Sequence, residues 1–211
     1  MDGTRAAHNL RCARLTWRLG CALRSLLSLV CPQGHLHVYD RKARRLPDGC
    51  IVCVSTSRID SSDEESFEEE EVEYHTMAQV LEPPPHGLPS EASWQWRALP
   101  GMSVFHPYGG GCVLSDGRFA VFGGEDVSGA ATSSCEVLSL DVDGARWLPL
   151  SSMHEPLSRF ACVAIGGCVI IAGGMGSTTA EVFEEGLGLW RRLPCSLPHD
   201  GQLGLMGSAL M

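Results

Sequence analysis

Short apolar segments bounded by glycine recur along the chain and predict buried β-strands. Phe119–Phe122 and Cys168–Ala172 are nearly all apolar, and a Gly-Gly pair follows each of them. Such an unbroken run is typical of a strand that is covered on both faces, whereas a strand with one solvated face alternates between apolar and polar residues. The residues Asp116-Gly117 and Gly166-Gly167 precede the two runs and predict a hairpin turn before each.

These segments belong to a repeat with a period of 50 residues. Gly117–Gly124 aligns without gaps on Gly167–Gly174, and in this alignment Cys112 matches Cys162. A weaker copy, Gly49–Thr56, has Ser-Thr in place of the glycine pair. Two further elements follow every copy in the same order, which indicates a repeat architecture. They are a strand-like segment, at 78–83, 135–140 and 180–185, and a tryptophan followed by Leu-Pro, at Trp96, Trp147 and Trp190.

An apolar strand, a glycine pair, a Glu-Val strand and a tryptophan with Leu-Pro, in this order, resemble the kelch repeat. The resemblance covers about residues 35 to 211 and implies an all-β fold in which each unit forms one blade of a β-propeller. The predicted blades are 35–99, 105–150 and 157–194, and residues 201–210 begin a fourth, so the propeller is incomplete, with about three blades plus a stub. Such a propeller has exposed edge strands, which leaves three alternatives: a fragment of a longer array, closure by self-association through these edges, or an open arc. The predicted scaffold residues are Gly123, Gly124, Trp147, Gly173, Gly174 and Trp190.

The resemblance divides the chain into an N-terminal segment, 1–33, and the kelch portion, 34–211. The first 45 residues carry eight arginines and one lysine against two aspartates, and 1–33 is predicted to form a short basic helical segment. Ala22–Cys31 resembles the end of an F-box, a helical motif that binds adaptors of ubiquitin ligases. An insertion at 60–73 contains nine of the 25 acidic residues and is expected to be a solvated segment, with a docking strip for a basic partner as the alternative.

Charge excludes some classes of partner. The net charge is −9, but outside the acidic insertion the basic and acidic residues balance. The body of the protein therefore has no excess of cations to replace phosphate counterions, so no nucleic acid is expected as a partner. The longest apolar stretch is interrupted by Arg24 and falls short of the roughly 20 residues that a transmembrane helix needs, so no membrane partner is expected either.

The ten cysteines are scattered singly, mostly within apolar runs, and predict buried free thiols. Free thiols favour a cytoplasmic or nuclear location, while the arginine-rich N-terminus leaves mitochondrial import as a minor alternative. A metal-dependent oxidase on a galactose-oxidase-like propeller is the catalytic alternative. That resemblance implies Tyr and His ligands to copper, whereas Tyr39, Tyr74 and Tyr108 occupy unrelated positions. No enzyme activity, cofactor or metal is predicted.

The predicted function is a noncatalytic protein-protein interaction module of kelch type. The resemblance implies a binding face made of the loop after each glycine pair and the loop between blades, which are 125–132, 175–178 and 151–158. Arg159 matches a family position whose arginine holds acidic ligands, and the gapless alignment places Gly109 there in the preceding unit. The candidate binding residues are Glu125, Asp126, His154, Glu155, Arg159 and Met175.

The partner is not identified by the sequence. The most concrete version of the interaction hypothesis is the substrate-recruiting arm of a ubiquitin ligase, whose adaptor is then a partner. A truncated product or fragment without independent function remains the alternative.

Overall fold

A computed structural model describes residues 35–60, 73–84, 93–141 and 144–197. The chain divides into two compact units, 1–37 with 58–73, and 38–57 with 74–211. The sheets lie in the second unit, apart from the strand ends at 35–37, 58–60 and 73. The predicted N-terminal helix, the acidic insertion between its end residues and the fourth-blade stub lie outside the described residues.

The described residues form twelve strands in three four-stranded antiparallel sheets, in the order of the sequence, and no helix occurs in these ranges. The described ranges therefore contain no helix that could span a membrane. Each sheet coincides with one predicted blade, which confirms the all-β fold of an incomplete kelch-type propeller. The strands are β1 His35–Arg45, β2 Ile51–Asp60, β3 Glu73–Glu82, β4 Gln95–Leu99, β5 Gly110–Val113, β6 Phe119–Phe122, β7 Cys135–Asp141, β8 Gly144–Leu150, β9 Ala161–Ile165, β10 Cys168–Ala172, β11 Ala180–Glu184 and β12 Leu189–Arg192.

The strand register corrects the gapless alignment by one residue in the first strand of the blade. Gly111 lies opposite Val121 in the second sheet, whereas Cys162 lies opposite Ile171 in the third. Cys162 therefore takes the place of Gly111 and not of Cys112. The reason is that the turn at 115–117 is one residue longer than the Gly166-Gly167 turn. The correction also means that Tyr108, and not Gly109, matches Arg159.

The hydrophobic core consists of two clusters, one between each pair of neighbouring sheets. Val52 and Val80 of the first sheet pack with Phe119 and Trp147 of the second. Between the second and third sheets, Phe122, Phe183 and Trp190 form an aromatic group in which the rings of Phe122 and Trp190 are 5.8 Å apart. Burying each such side chain contributes about 1.5–3 kcal/mol, so the sheets stabilise one another through these faces.

The tryptophans also make a hydrogen bond that repeats from blade to blade. Trp147 Nε1 donates to the carbonyl of Pro100 at 2.9 Å, and Trp190 Nε1 donates to the carbonyl of Ser151 at 2.8 Å. Each acceptor lies four residues after the tryptophan of the preceding blade, Trp96 or Trp147. The indole thus buries its ring and satisfies its N–H at once, which is what a buried tryptophan requires.

A buried glutamate in the third strand of the blade holds the loop that leads in from the preceding blade. Glu136 accepts the backbone N–H groups of Ser103 and Val104 at 3.1 and 3.2 Å. Glu181 accepts those of His154 and Glu155 at 2.9 and 3.0 Å. The glutamates are only 3% and 0% exposed. Because a buried carboxylate is unfavourable without hydrogen bonds, these contacts fix the path of both loops.

His106 lies fully buried beside the first of these carboxylates. Its Nδ1 is 2.6 Å from the carbonyl oxygen of Gly123, and its Nε2 is 3.4 Å from Glu136 Oε2. Lys42 Nζ, from the first sheet, donates to the His106 carbonyl at 3.0 Å. Burial lowers the pKa of His106, although Gly123 and Glu136 act in the opposite direction. The imidazole is therefore favoured in its neutral form in the folded protein.

The lowered pKa of His106 predicts that stability falls as the pH drops below about 6.5. The unfolded chain binds the proton more readily, so acid favours unfolding, with a slope of at most about 1.4 kcal/mol per pH unit for one proton. Urea unfolding at pH 7.5, 6.5 and 5.5 measures this dependence, and His106→Gln should reduce it. Equal pH dependence in the unaltered protein and in His106→Gln would contradict a lowered pKa for His106.

Candidate functional site

Loops from the second and third blades meet at the end of the sheets where β6 and β10 finish. Two follow the glycine pairs at 123–124 and 173–174, and two lead into the first strands, β5 and β9. Backbone hydrogen bonds of 2.7–2.9 Å join them: Gly124 N to Leu157 O, Glu125 N to Pro107 O, Arg159 N to Tyr108 O and Met175 N to Ser158 O.

The glycine pairs allow this close approach. Gly124 has a φ of +110°, and a Cβ atom there would lie 2.5 Å from the carbonyl oxygen of Pro107. Gly174 has a φ of +117°, and its Cβ would lie 2.7 Å from the carbonyl oxygen of Ser158. Any larger residue would push the loops apart, so the second glycine of each pair has a scaffold role.

Three side chains from these loops form one group, the Arg159 cluster, which consists of Tyr108, Glu125 and Arg159. Arg159 Nε donates to Glu125 Oε1 at 3.1 Å, and the guanidinium lies 3.9 Å from the centre of the Tyr108 ring. Hydrogen bonding to Glu125 raises the pKa of Arg159. The side chains of Arg159 and Glu125 are 24% and 13% exposed, so the ion pair is screened less than a surface pair and still reaches solvent.

The backbone at the Arg159 cluster adopts a conformation that is uncommon outside glycine. Tyr108 and Arg159 have φ angles of 56° and 61°, and they are the non-glycine residues with positive φ in the described part of the chain. This left-handed conformation costs about 1–2 kcal/mol per residue. The two residues occupy the same place in successive blades and are held by the hydrogen bond between them. Strain that the surrounding contacts impose in this way is typical of binding loops.

Asp126 and Met175 lie in the loops next to the Arg159 cluster. Asp126 Oδ1 accepts hydrogen bonds from the backbone of Ser128 and Ala130 and from the Ser128 hydroxyl, and the bond to the hydroxyl lowers the pKa of Asp126. Its role is therefore to shape its own loop. Met175 is 50% exposed and adds an apolar contact surface next to Ser158.

His154 and Glu155 are gathered elsewhere, around the buried Glu181. The His154 side chain is exposed, and the residue is fixed through its backbone N–H. The Glu155 carboxylate accepts the Thr179 hydroxyl at 2.9 Å and pairs with Arg192 at 3.2 Å. Of the six predicted binding residues, the structure thus places Glu125 and Arg159 in contact and puts His154 and Glu155 in a separate group.

Sequence reasoning missed the roles of Tyr108, Glu136 and Glu181. The tyrosine was hidden by the one-residue error in the alignment, since it lies 51 residues before Arg159. The glutamates belong to the Glu-Val element that was used only to define the repeat. Their recurrence at the same position in two blades was a signal, because an outward-facing strand residue has no reason to repeat.

The chemistry available at this end of the sheets is recognition through hydrogen bonds, charge and an aromatic face. Two of the buried thiols are not activated, because burial raises the pKa of Cys53 to about 11 and that of Cys135 to about 12, which keeps both protonated. Within the described ranges, no three His, Cys, Asp or Glu side chains are grouped as metal ligands.

Comparison with known proteins points to one kind of repeat. No protein-family model matches the chain. Beta-scruin from Limulus polyphemus is 33% identical over 110 residues, which are 52% of this chain and 11% of that protein. An F-box/kelch-repeat protein from Arabidopsis thaliana is 26% identical over 117 residues, covering 47% of this chain and 30% of its own length. The chain therefore spans less than a third of either relative.

Both relatives are kelch-repeat proteins, and the similarity supports the kelch-repeat family that the sequence predicts. Kelch-repeat homologues also suggest a protein-interaction module.

Proposed function

We propose that this chain is a noncatalytic protein-interaction module that binds its partner through the Arg159 cluster and the loops beside it. The observation that carries the proposal is that Arg159, Tyr108 and Glu125, from three loops of two blades, meet at the solvent-facing end of the sheets. Loops that a rigid sheet scaffold positions are where binding residues are most often found.

The ordering of these loops supports a binding role. Backbone hydrogen bonds at Arg159, Glu125 and Met175 tie the four loops to one another before any partner arrives. A partner therefore meets groups that are already in place, which reduces the entropy lost on binding. The half-exposed Met175 offers apolar area beside the polar cluster.

The polar chemistry of the cluster favours an acidic side chain on the partner. A guanidinium presents a fork of donors that suits a carboxylate, and the Tyr108 ring keeps it oriented. Glu125 already occupies one donor of Arg159, so a partner carboxylate competes with it for the same cation. We therefore expect Glu125 to weaken binding and Arg159 to strengthen it.

This competition predicts that substitutions of Arg159 and of Glu125 change partner capture in opposite directions. Arg159→Ala should lower the amount of a specific partner that is captured by at least about tenfold, which corresponds to about 1.4 kcal/mol. Glu125→Gln should raise it, because the neutral amide releases the guanidinium. The measurement is affinity capture on the immobilised full-length chain, with partners quantified by mass spectrometry and the direct affinity then measured on the purified partner.

Arg146→Ala is the matched control for capture. Like Arg159, Arg146 is an arginine in an ion pair, 2.9 Å from Asp141. It belongs to the second sheet but lies at the end of that sheet opposite to the Arg159 cluster. Capture should be unchanged in this variant. Equal capture by the Arg159, Glu125 and Arg146 variants would place the binding surface elsewhere.

The similarity to an F-box/kelch-repeat protein favours a finer version of the proposal, in which the module recruits substrates to a ubiquitin ligase. Residues 1–33 would then bind the ligase adaptor while the Arg159 cluster binds the substrate. Purified F-box-binding adaptor should be retained by the full chain and lost by a chain that begins at Gly34. Retention by the shorter chain would contradict the ligase role and leave the interaction module standing.

A further inference from the structure

The turns Pro47-Asp48-Gly49 and Ser115-Asp116-Gly117 join the first two strands of the first and second blades and have the same backbone structure. In each of them the residue before the turn donates its N–H to the carbonyl of the residue after it, at 2.8 and 2.9 Å. The middle residue of both turns is an aspartate. The residues that follow the turns, Cys50 and Arg118, therefore occupy equivalent places in the two blades.

The aspartate of the second turn has a cationic partner, whereas the aspartate of the first turn has none among the described residues. Asp116 Oδ2 accepts a hydrogen bond from Arg118 Nε at 2.7 Å and lies 2.6 Å from Arg118 Nη2. Asp48 accepts the backbone N–H of Cys50 at 2.9 Å. Burial raises the pKa of Cys50 to about 11, so its thiol is neutral and supplies no cation. The first turn thus keeps the carboxylate of this pair and lacks the guanidinium.

A contact between neighbouring blades is also missing beside the first turn. At the junction of the second and third blades, Glu185 accepts the backbone N–H of Ser115 at 2.7 Å and also accepts its hydroxyl proton. Pro47 and Leu140 occupy the places of Ser115 and Glu185 at the junction of the first and second blades. Proline has no backbone N–H and leucine has no side-chain acceptor, so this pair cannot form the polar contact.

A groove lies at the junction where that contact is missing. It has a volume of about 280 Å³, and its apolar lining includes Pro47, Phe119 and Leu140. Three aspartates and one arginine also line it, so acidic groups exceed basic ones. An apolar lining next to unbalanced carboxylates is complementary to a cation on an aliphatic stem. The groove is at the end of the sheets opposite to the Arg159 cluster.

We propose that this groove binds an arginine side chain of a protein partner, with the guanidinium on Asp48 and the aliphatic stem on Pro47 and Leu140. The bound arginine repeats at Asp48 the pair that Arg118 forms with Asp116 within the second blade. A guanidinium suits a carboxylate because its donors form a planar fork. The groove is smaller than the roughly 300–1,000 Å³ of small-molecule sites, so its occupant needs contacts outside it, which a protein provides.

The test is an NMR titration of the isotope-labelled full chain with N-acetyl-arginine methylamide. Saturable shifts are expected at the amide signals of Asp48, Gly117 and Leu140. N-acetyl-citrulline methylamide is the matched ligand, because it has the shape of arginine with a neutral group at the end. It should bind at least about fivefold more weakly, since the charge-assisted hydrogen bond is lost. Equal binding of the two ligands, shifts at other residues only, or no saturable shift would overturn the proposal.

Cys50→Arg supplies the missing cation from within the chain and should abolish binding of the blocked arginine. Cys168→Arg is the matched control. Cys168 follows the Gly166-Gly167 turn at the equivalent place in the third blade, where the turn carries no aspartate, so binding should be unchanged. Asp48→Asn should weaken binding at least about fivefold. Amide signals away from the groove show directly whether each variant is folded.

These variants give outcomes that count against the proposal. Unaltered binding in folded Cys50→Arg or Asp48→Asn would contradict it, as would an equal loss of binding in Cys168→Arg. The titration measures a ligand at one end of the sheets, whereas the capture experiment on Arg159→Ala measures a partner at the other end. Either proposal can therefore fail while the other stands.

Discussion

Replacing Trp147 with alanine should lower the free energy of unfolding by about 3–5 kcal/mol. The indole is 8% exposed and packs edge-on against Phe119, with 6.3 Å between the ring centres. Its removal leaves a cavity between the first and second sheets and leaves the carbonyl of Pro100 without its indole donor. The loss of packing and the loss of the hydrogen bond act in the same direction.

Trp147→Phe separates the two contributions. Phenylalanine keeps an aromatic ring against Phe119 but cannot donate to Pro100, so it should cost less than alanine, with about 1 kcal/mol coming from the hydrogen bond. Urea unfolding followed by circular dichroism gives both values. The exposed Trp94 is the control, and Trp94→Ala should shift stability by no more than about 0.5 kcal/mol.

A change below about 1 kcal/mol in Trp147→Ala would mean that the tryptophan does not join the first two blades. In arrays of this kind stability is approximately a sum of repeat and interface terms. We therefore also expect the slope of the urea transition to change in Trp147→Ala if the first blade then unfolds separately from the other two.

The blade architecture could be predicted from the sequence because it depends on local signals. Each signal depends on only a few neighbouring residues, as in the apolar run Phe119–Phe122, the turn Gly166-Gly167 and the tryptophans. The order of these signals also repeats along the chain. All of them lie where the repeat predicted: the apolar run in β6, the turn between β9 and β10, and the tryptophans in β4, β8 and β12. The fold could be predicted because the local preference of each segment for a strand or a turn agrees with its place in the repeat.

The register of the first strand could not be predicted as securely. Glycine-bounded turns of two and three residues look alike in a gapless alignment, yet one extra residue in the turn moves every partner in the strand before it by one position. The structure shows this at Gly111 and Cys162, and the error carried over to Tyr108. The identity of the residue that stacks on Arg159 therefore depended on the length of a turn that lies beyond Val113.

The candidate site was predictable in its loops but not in its contacts. Arg159 and Glu125 were chosen separately, from their places in two loops, and nothing in the sequence indicates that they pair. Their contact depends on backbone bonds between loops that lie more than 30 residues apart in the chain. The same holds for Glu181. From the sequence alone a glutamate in a strand is expected to be exposed, and only the structure shows the loop that its carboxylate binds.

Glu181→Ala is the second change with a large expected effect, a loss of about 2–5 kcal/mol in the free energy of unfolding. The carboxylate is fully buried, and both of its oxygens accept backbone N–H groups, from His154 and Glu155. Alanine leaves two partly buried donors without an acceptor, and each such group costs about 1–3 kcal/mol. Removal of a buried charge offsets part of this loss, because the carboxylate was costly to bury.

The first blade suggests the intermediate variant in this series. Gln79 occupies the place of Glu181 there, so glutamine is compatible with the strand, but its amide has one acceptor oxygen. Glu181→Gln should therefore lose about half as much stability as Glu181→Ala. Glu184→Ala is the control, since Glu184 lies on the same strand with a partly exposed side chain that pairs with the exposed Arg191. That change should stay within about 1 kcal/mol.

Hydrogen exchange shows whether Glu181→Ala lowers stability by releasing the loop that contains His154 and Glu155. The amide protons of His154 and Glu155 should exchange faster in Glu181→Ala, while those of the β10–β11 ladder should change only as much as global stability does. The loop that carries these amides also carries Arg159, so partner capture should weaken together with their protection. Slow exchange at both amides in the alanine variant would mean that other contacts hold the loop, and that Glu181 contributes to the strand alone.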